Sequence, residues 1–171
     1  MERNGGGNLR WRACRRPNHA FTLIELVVVV VIIAIIAAIA IPKMSRGSAG
    51  AADAALSQDL STIRSALELY QTEHGGTYPS ATDAPTFLNQ LTEYTDASGA
   101  AQATKDTAHI YGPYIKSIPS LPVGTNKGLN TVTISGPAGT GAFGWYYDGT
   151  TVWANDPSTD TDIKTTPYNT Y

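Results

Sequence analysis

The sequence predicts an α+β fold: a long N-terminal helix packed on a small antiparallel sheet. Three observations predict it. An apolar run from Phe21 to Ile41 leads into an amphipathic stripe that stops at His74-Gly75-Gly76. Beyond that stop the composition turns to Thr, Ser, Gly, Pro and Tyr, with all nine tyrosines at or after Tyr70. Two β-type runs then flank Asp148-Gly149-Thr150, a hairpin turn signal.

The helix comes first. Between Phe21 and Ile41 only Thr22 and Glu25 are polar. At about 1.5 Å rise per residue this stretch spans roughly 31 Å, enough for a ~30 Å hydrocarbon core. Five arginines (Arg3, Arg10, Arg12, Arg15, Arg16) and one acid, Glu2, precede it, whereas seven Lys/Arg and thirteen Asp/Glu follow. The arginine-rich N-terminal side places the leader in the cytoplasm and the net-acidic body across the membrane. An acidic body also argues against nucleic acid as a partner, because phosphate binding needs clustered cations. The single cysteine, Cys14, lies in the leader, so the body has no thiolate chemistry and no internal disulfide.

Pro42 lacks a backbone donor and is expected to kink the helix without ending it. Ala49, Ala52, Leu56, Leu60, Ile63, Leu67 and Tyr70 follow at spacings of three or four, a helical stripe expected to face the body. Gly47 and Gly50 are its weak points. One helix is therefore predicted from about Phe21 to Glu73.

Glu25 is the anomaly. A carboxylate costs free energy in lipid, about 2.5–3.5 kcal/mol for a comparable charge at mid-membrane and less near the edge. No Lys, Arg or His lies between Phe21 and Ile41 to pair with it. An α-amino group newly created at Phe21, on this chain or a neighbour, would serve. That requires removal of the leader.

The stretch "AFTLIELVVVVVIIAIIAAIAIPKM" resembles the N-terminus of type IV pilins and type II secretion pseudopilins. Phe21, Thr22, Leu23, Ile24, Glu25, Leu26 and Pro42 all match that pattern. The resemblance implies cleavage between Ala20 and Phe21 by a membrane-embedded prepilin peptidase, followed by N-methylation of Phe21. It gives Glu25 the role of neutralising a neighbour's N-terminus during assembly. Implied partners are further copies of the chain in a filament, an inner-membrane assembly platform, minor pilins or pseudopilins, and membrane lipid. Two departures stand out: Ala20 replaces the usual Gly, and the leader is long for the family. A rival reading takes Ala38-Ile39-Ala40 as an ordinary secretory cleavage site, making Ile41 the mature N-terminus of a secreted or anchored binding module. A plain uncleaved anchor is the third.

In the body, Asp83 as cap and Pro85 in the first turn predict a helix over 84–94, with Phe87, Leu88, Leu91 and Tyr94 on one face. Residues 95–107 read as a surface loop, and "HIYGPYIKSIPSLP" as an ordered irregular crossing. Strands are expected at "TVTIS" (131–135), at 144–147 and at 152–154, with Trp145 and Trp153 meeting across the hairpin. "ELYQTEHGGTYP", "YGPYIKSIP" and "GWYYDGTTVWAN" resemble the heads of type II secretion pseudopilins more than adhesive pilus heads.

No catalytic constellation or phosphate-type loop stands out, and no enzyme is expected. The aspartates of "NDPSTDTD" (Asp156, Asp160, Asp162) offer hard oxygen ligands suited to calcium. The spacing is not an EF-hand, and a solvated acidic tail is the alternative. Resemblance to calcium-binding pseudopilin loops adds weight to calcium. The chain thus divides into a cytoplasmic leader (1–20), a transmembrane half-helix (21–42), an amphipathic half-helix (43–74) and a globular head (75–171). The reading is of a structural subunit, held in a bacterial inner membrane with its head in the periplasm, then stacked into a periplasmic or surface filament.

Overall fold

The structure is a computed structural model that describes residues 21–136 and 138–171, and the backbone alone over 41–46. The leader and Ala20 lie outside the described residues. The chain divides into two units, Met1–Ile41 and Pro42–Tyr171.

In the first unit the described residues begin helix α1, which is assigned from Leu23 to Glu73. Thr22 starts it: its Oγ1 accepts the Glu25 backbone N–H at 3.3 Å. Leu23–Ala40 is long and apolar enough to cross a membrane. Its valines and isoleucines are exposed in the isolated chain, as a segment that meets lipid or other helices requires.

In the second unit the remainder of α1 carries the predicted stripe. Leu56, Leu60, Ile63, Leu67 and Tyr70 are buried, joined by Ala66, while Ala52 packs at the edge and Ala49 is exposed. Pro42, Gly47 and Gly50 all fall within the assigned helix. The helix stops as expected: Gly75 and Gly76 take positive φ, and the Gly76 N–H donates to the Gln71 carbonyl at 2.8 Å.

Helix α2 spans Ala84–Thr92. Asp83 caps it, accepting from the Thr86 N–H at 2.8 Å and the Thr86 hydroxyl at 2.9 Å. It ends two residues short of the predicted Tyr94, because Tyr94–Thr95 forms strand β1 and pairs antiparallel with β2, Ala101–Gln102. The expected surface loop therefore holds a small hairpin. Asp96 closes it, its Oδ1 accepting from the backbone of Ser98 and Ala100.

The second sheet runs β3 (Val132–Thr133), β4 (Trp145–Tyr147), β5 (Val152–Ala154) in that order. The β4–β5 hairpin is antiparallel as predicted, but β3 pairs parallel to β4, so the sheet is mixed. The intervening chain makes a return loop, and Asn155 holds it. The Asn155 side chain accepts from the Gly139 N–H at 2.7 Å and donates to the Thr140 and Phe143 carbonyls. A return of that length is what a parallel pair needs.

The tryptophans do not meet. Trp145 faces Ala154 and Trp153 faces Tyr146. Tyr147 pairs with Val152, so the loop is Asp148–Thr151, as the expected strand ends at 147 and 152 imply. That register turns Trp145 and Tyr147 into the core and Trp153 toward the Arg64 side of α1. The core joins α1, α2 and this sheet: Phe87 packs against Tyr147 with ring centroids 4.2 Å apart.

Candidate functional site

Two places carry the residues singled out from the sequence. The first is the start of α1. Thr22-Leu23-Ile24-Glu25 has the S/T-x-x-E/Q order of a capping box, and the Thr22 hydroxyl makes its half of that box. Glu25 thus stands in the first helical turn, where the positive end of the helix dipole favours an anion. Neither the cap nor the dipole entered the sequence reading, although the order of the four residues shows both. Phe21 is 81 % exposed, and so are the apolar side chains just after it. Among the described residues Glu25 has no ion-pair partner.

The second place is the C-terminal loop, and its three aspartates do different things. Asp156 is fully buried; its Oδ1 accepts from the Asn126 N–H at 3.0 Å, and its Oδ2 has no hydrogen-bond partner. The carboxylate lies against Gly124, which has φ +70, and a Cβ there would collide with it. Burial first, and the nearby Asp160 charge second, push the Asp156 carboxyl above its ordinary range, against the pull of backbone hydrogen bonds. Asp160 lies on the surface beside it, its Oδ2 accepting from the Thr125 N–H at 2.7 Å and hydroxyl at 2.6 Å. Asp162 turns elsewhere. Its Oδ1 accepts from the Lys164 and Thr166 N–H groups, and its Oδ2 from the Tyr171 hydroxyl. The structure brings Asp156 and Asp160 together and engages Asp162 in a separate turn. No group of three or more His, Cys, Asp or Glu able to hold a metal occurs among the described residues.

Sequence reasoning missed the polar residues around this loop. Asn126 donates to the Asn155 carbonyl at 2.5 Å and to the Gly141 carbonyl at 3.2 Å. Asn126 and Asn155 are both buried. Asn126 lies between Gly124 and Gly128 and Asn155 just after strand β5, and nothing in the sequence sets either apart from turn asparagines.

Comparison with known families assigns the first place. Residues 15–41 match the prokaryotic N-terminal methylation motif. The chain carries the prepilin-type segment of type IV pilins and pseudopilins. No curated protein and no solved structure matches the chain. The prepilin-type segment covers the Ala20–Phe21 junction, Glu25 and the apolar part of α1. With the apolar helix it supports a membrane-anchored precursor of the type IV pilin-like or pseudopilin type. The pilin-type family that bears this segment is structural and not catalytic.

Proposed function

We propose that the protein is a structural filament subunit, of a type IV pilus-like fibre or a type II secretion pseudopilus. It is inserted with its leader in the cytoplasm and its head in the periplasm. A prepilin peptidase cuts between Ala20 and Phe21, and Phe21 is N-methylated. Released subunits are stacked by an inner-membrane platform, with minor subunits, into a periplasmic or surface filament. The body's resemblances favour the secretion pseudopilus.

One observation supports this most: Glu25, whose backbone N–H is capped by Thr22, stands within the matched segment, four residues after Phe21, at the head of a helix whose apolar side chains have no partner in the isolated chain. The α-ammonium of an incoming Phe21 would neutralise Glu25, and packing of apolar helices would replace lipid contacts. Small residues at Ala34, Ala37, Ala38 and Ala40 permit close approach. Glu25→Ala is expected to keep membrane insertion and lose filaments, read by fractionation and by negative-stain images of sheared cells. Normal filaments from that variant would remove the proposed role.

A hard cation at the Asp156–Asp160 loop is a second element of the proposal. The unpartnered Asp156 Oδ2 and the adjacent Asp160 supply oxygen donors of the right kind, and Asp162 stands apart. Added calcium is expected to raise the melting temperature of the detergent-solubilised chain, and Asp156→Asn to abolish the rise. No shift at millimolar calcium would dismiss the site.

A further inference from the structure

Two charged side chains on the head-facing half of α1 stand at the margins of the buried stripe without charged partners among the described residues. The ion pair found among the described residues joins His109 and Asp106, elsewhere in the head. Arg64 is half-buried and rigidly held. Its Nε and Nη2 donate to the Val152 carbonyl at 3.2 and 2.9 Å. Its guanidinium carbon lies 5.6 Å from the Trp153 ring centroid, and Trp153 is itself fixed by donating from Nε1 to Asp148 Oδ2 at 3.0 Å. Of the five guanidinium N–H groups, those left over on Nη1 and Nη2 have no acceptor among the described residues. They line a groove of about 500 Å³ with Ser57, Thr151, Trp153 and Tyr171. A preorganised planar fork of this kind suits a carboxylate.

Asp59 is the counterpart. It is half-buried and makes no hydrogen bond or ion pair among the described residues. Burial alone pushes its carboxyl above the usual range. A second groove, of about 370 Å³, has Gln58, Thr62, Leu69 and Tyr114 in its lining; Asp59 is not part of that lining.

The two cannot pair within one chain. Five residues along an α-helix is a rotation of about 140° around the axis, so they stand on opposite flanks with the buried stripe between. Between copies they can. A contact in which one copy's Arg64 flank meets the next copy's Asp59 flank uses different surfaces on each side. It leaves an unused Arg64 at one end and an unused Asp59 at the other, and so propagates into an open helical array.

We propose that Arg64 of one subunit binds Asp59 of the next, forming a lateral contact that repeats along the filament. The occupant of the Arg64 groove is thus a second copy of this chain. This rests on the filament reading above and adds the head-level contact that reading lacks.

The test uses the full chain expressed in filament-forming cells. Arg64→Glu and Asp59→Arg are made singly and together, with sheared filaments and membrane-bound subunit measured side by side. Each single reversal is expected to lower filament yield by at least about tenfold, the loss associated with breaking a partly buried charge pair. The charge-swapped double variant restores it. On the processing proposed above, Cys14, the only cysteine, leaves with the leader, so Arg64→Cys with Asp59→Cys gives a mature chain that a short bifunctional thiol-reactive cross-linker, spanning the gap an Arg–Asp contact leaves and a direct disulfide cannot, should link into a ladder of oligomers. Either cysteine alone should give none. The ladder decides the matter even if a reversal variant fails to accumulate. Filaments indifferent to both reversals, a swap that does not rescue, or no ladder would overturn this contact alone. Absence of filaments from the native chain would overturn the filament reading and this contact with it.

Discussion

Glu25 sits three residues after Thr22, and the two should separate in their effects. Thr22→Ala removes the hydroxyl that accepts the Glu25 N–H. It is expected to weaken the helix start by about 0.5–2 kcal/mol while leaving the carboxylate in place, so filaments should persist at reduced yield. Glu25→Ala keeps the hydroxyl and should abolish them. Equal loss from both would mean that Glu25 acts only through the cap. At the hairpin, burial pushes the Asp148 carboxyl up. Donors from Trp153, Thr151 and Thr150 more than offset this and bring it from 3.8 to about 2. A folded value below the unfolded one stabilises the head above about pH 4, and that contribution fades as pH falls toward 2. Asp148→Asn should flatten this acid limb in a denaturation series, and an unchanged limb would assign acid sensitivity elsewhere. Glu25 was readable because a lone acid in an apolar run breaks a pattern. Asp148 was readable only as a turn residue, since its Trp153 contact depends on register.

At the scale of elements, α1 was the most readable part. Its period, length and Gly75-Gly76 stop all survive in the structure because each is a local signal. Helix α2 and its Asp83 cap were readable for the same reason. The strands were less so. Residues 132–133 look like any alternating run, and their parallel pairing depends on a return loop held by Asn155, far along the chain. Hairpin β1–β2 is only two residues per strand, too short for periodicity to register. The C-terminal segment shows the same distance effect. Asp53 on α1 accepts from the Ile163 N–H at 3.1 Å and the Tyr168 hydroxyl at 2.8 Å, pinning the end of the chain to the helix. Asp53→Ala leaves both donors unpaired and should cost about 1–3 kcal/mol in chemical denaturation, with Tyr168→Phe costing less. A neutral Asp53→Ala would mean that the tail docks through its aromatic rings alone.

For the whole molecule, the apolar side chains at the start of α1 have no partner in the isolated chain, and the rest of the chain makes its own core. Leu60, 2 % exposed, joins α1 to that core. Leu60→Ala should destabilise the head by about 2–5 kcal/mol and lower the amount of subunit in the membrane without altering processing of the leader. That separation follows because the match to the methylation motif covers residues 15–41 and the core lies beyond Pro42. The α+β class was readable from the sequence as a whole. The proposed contact between copies was not, because groups that lack a charged partner among the described residues, such as Arg64 and Asp59, are recognised only once the internal contacts have been assigned.

The account depends on proteolysis that creates an ammonium within reach of Glu25, and the mature N-terminus tests this most directly. Mass spectrometry of protein isolated from its own membranes or filaments should find chains that begin at Phe21 and carry one methyl group on its nitrogen. Chains beginning at Met1 would leave Glu25 without its partner, and chains beginning at Ile41 would lack Glu25 altogether; either result would contradict the account.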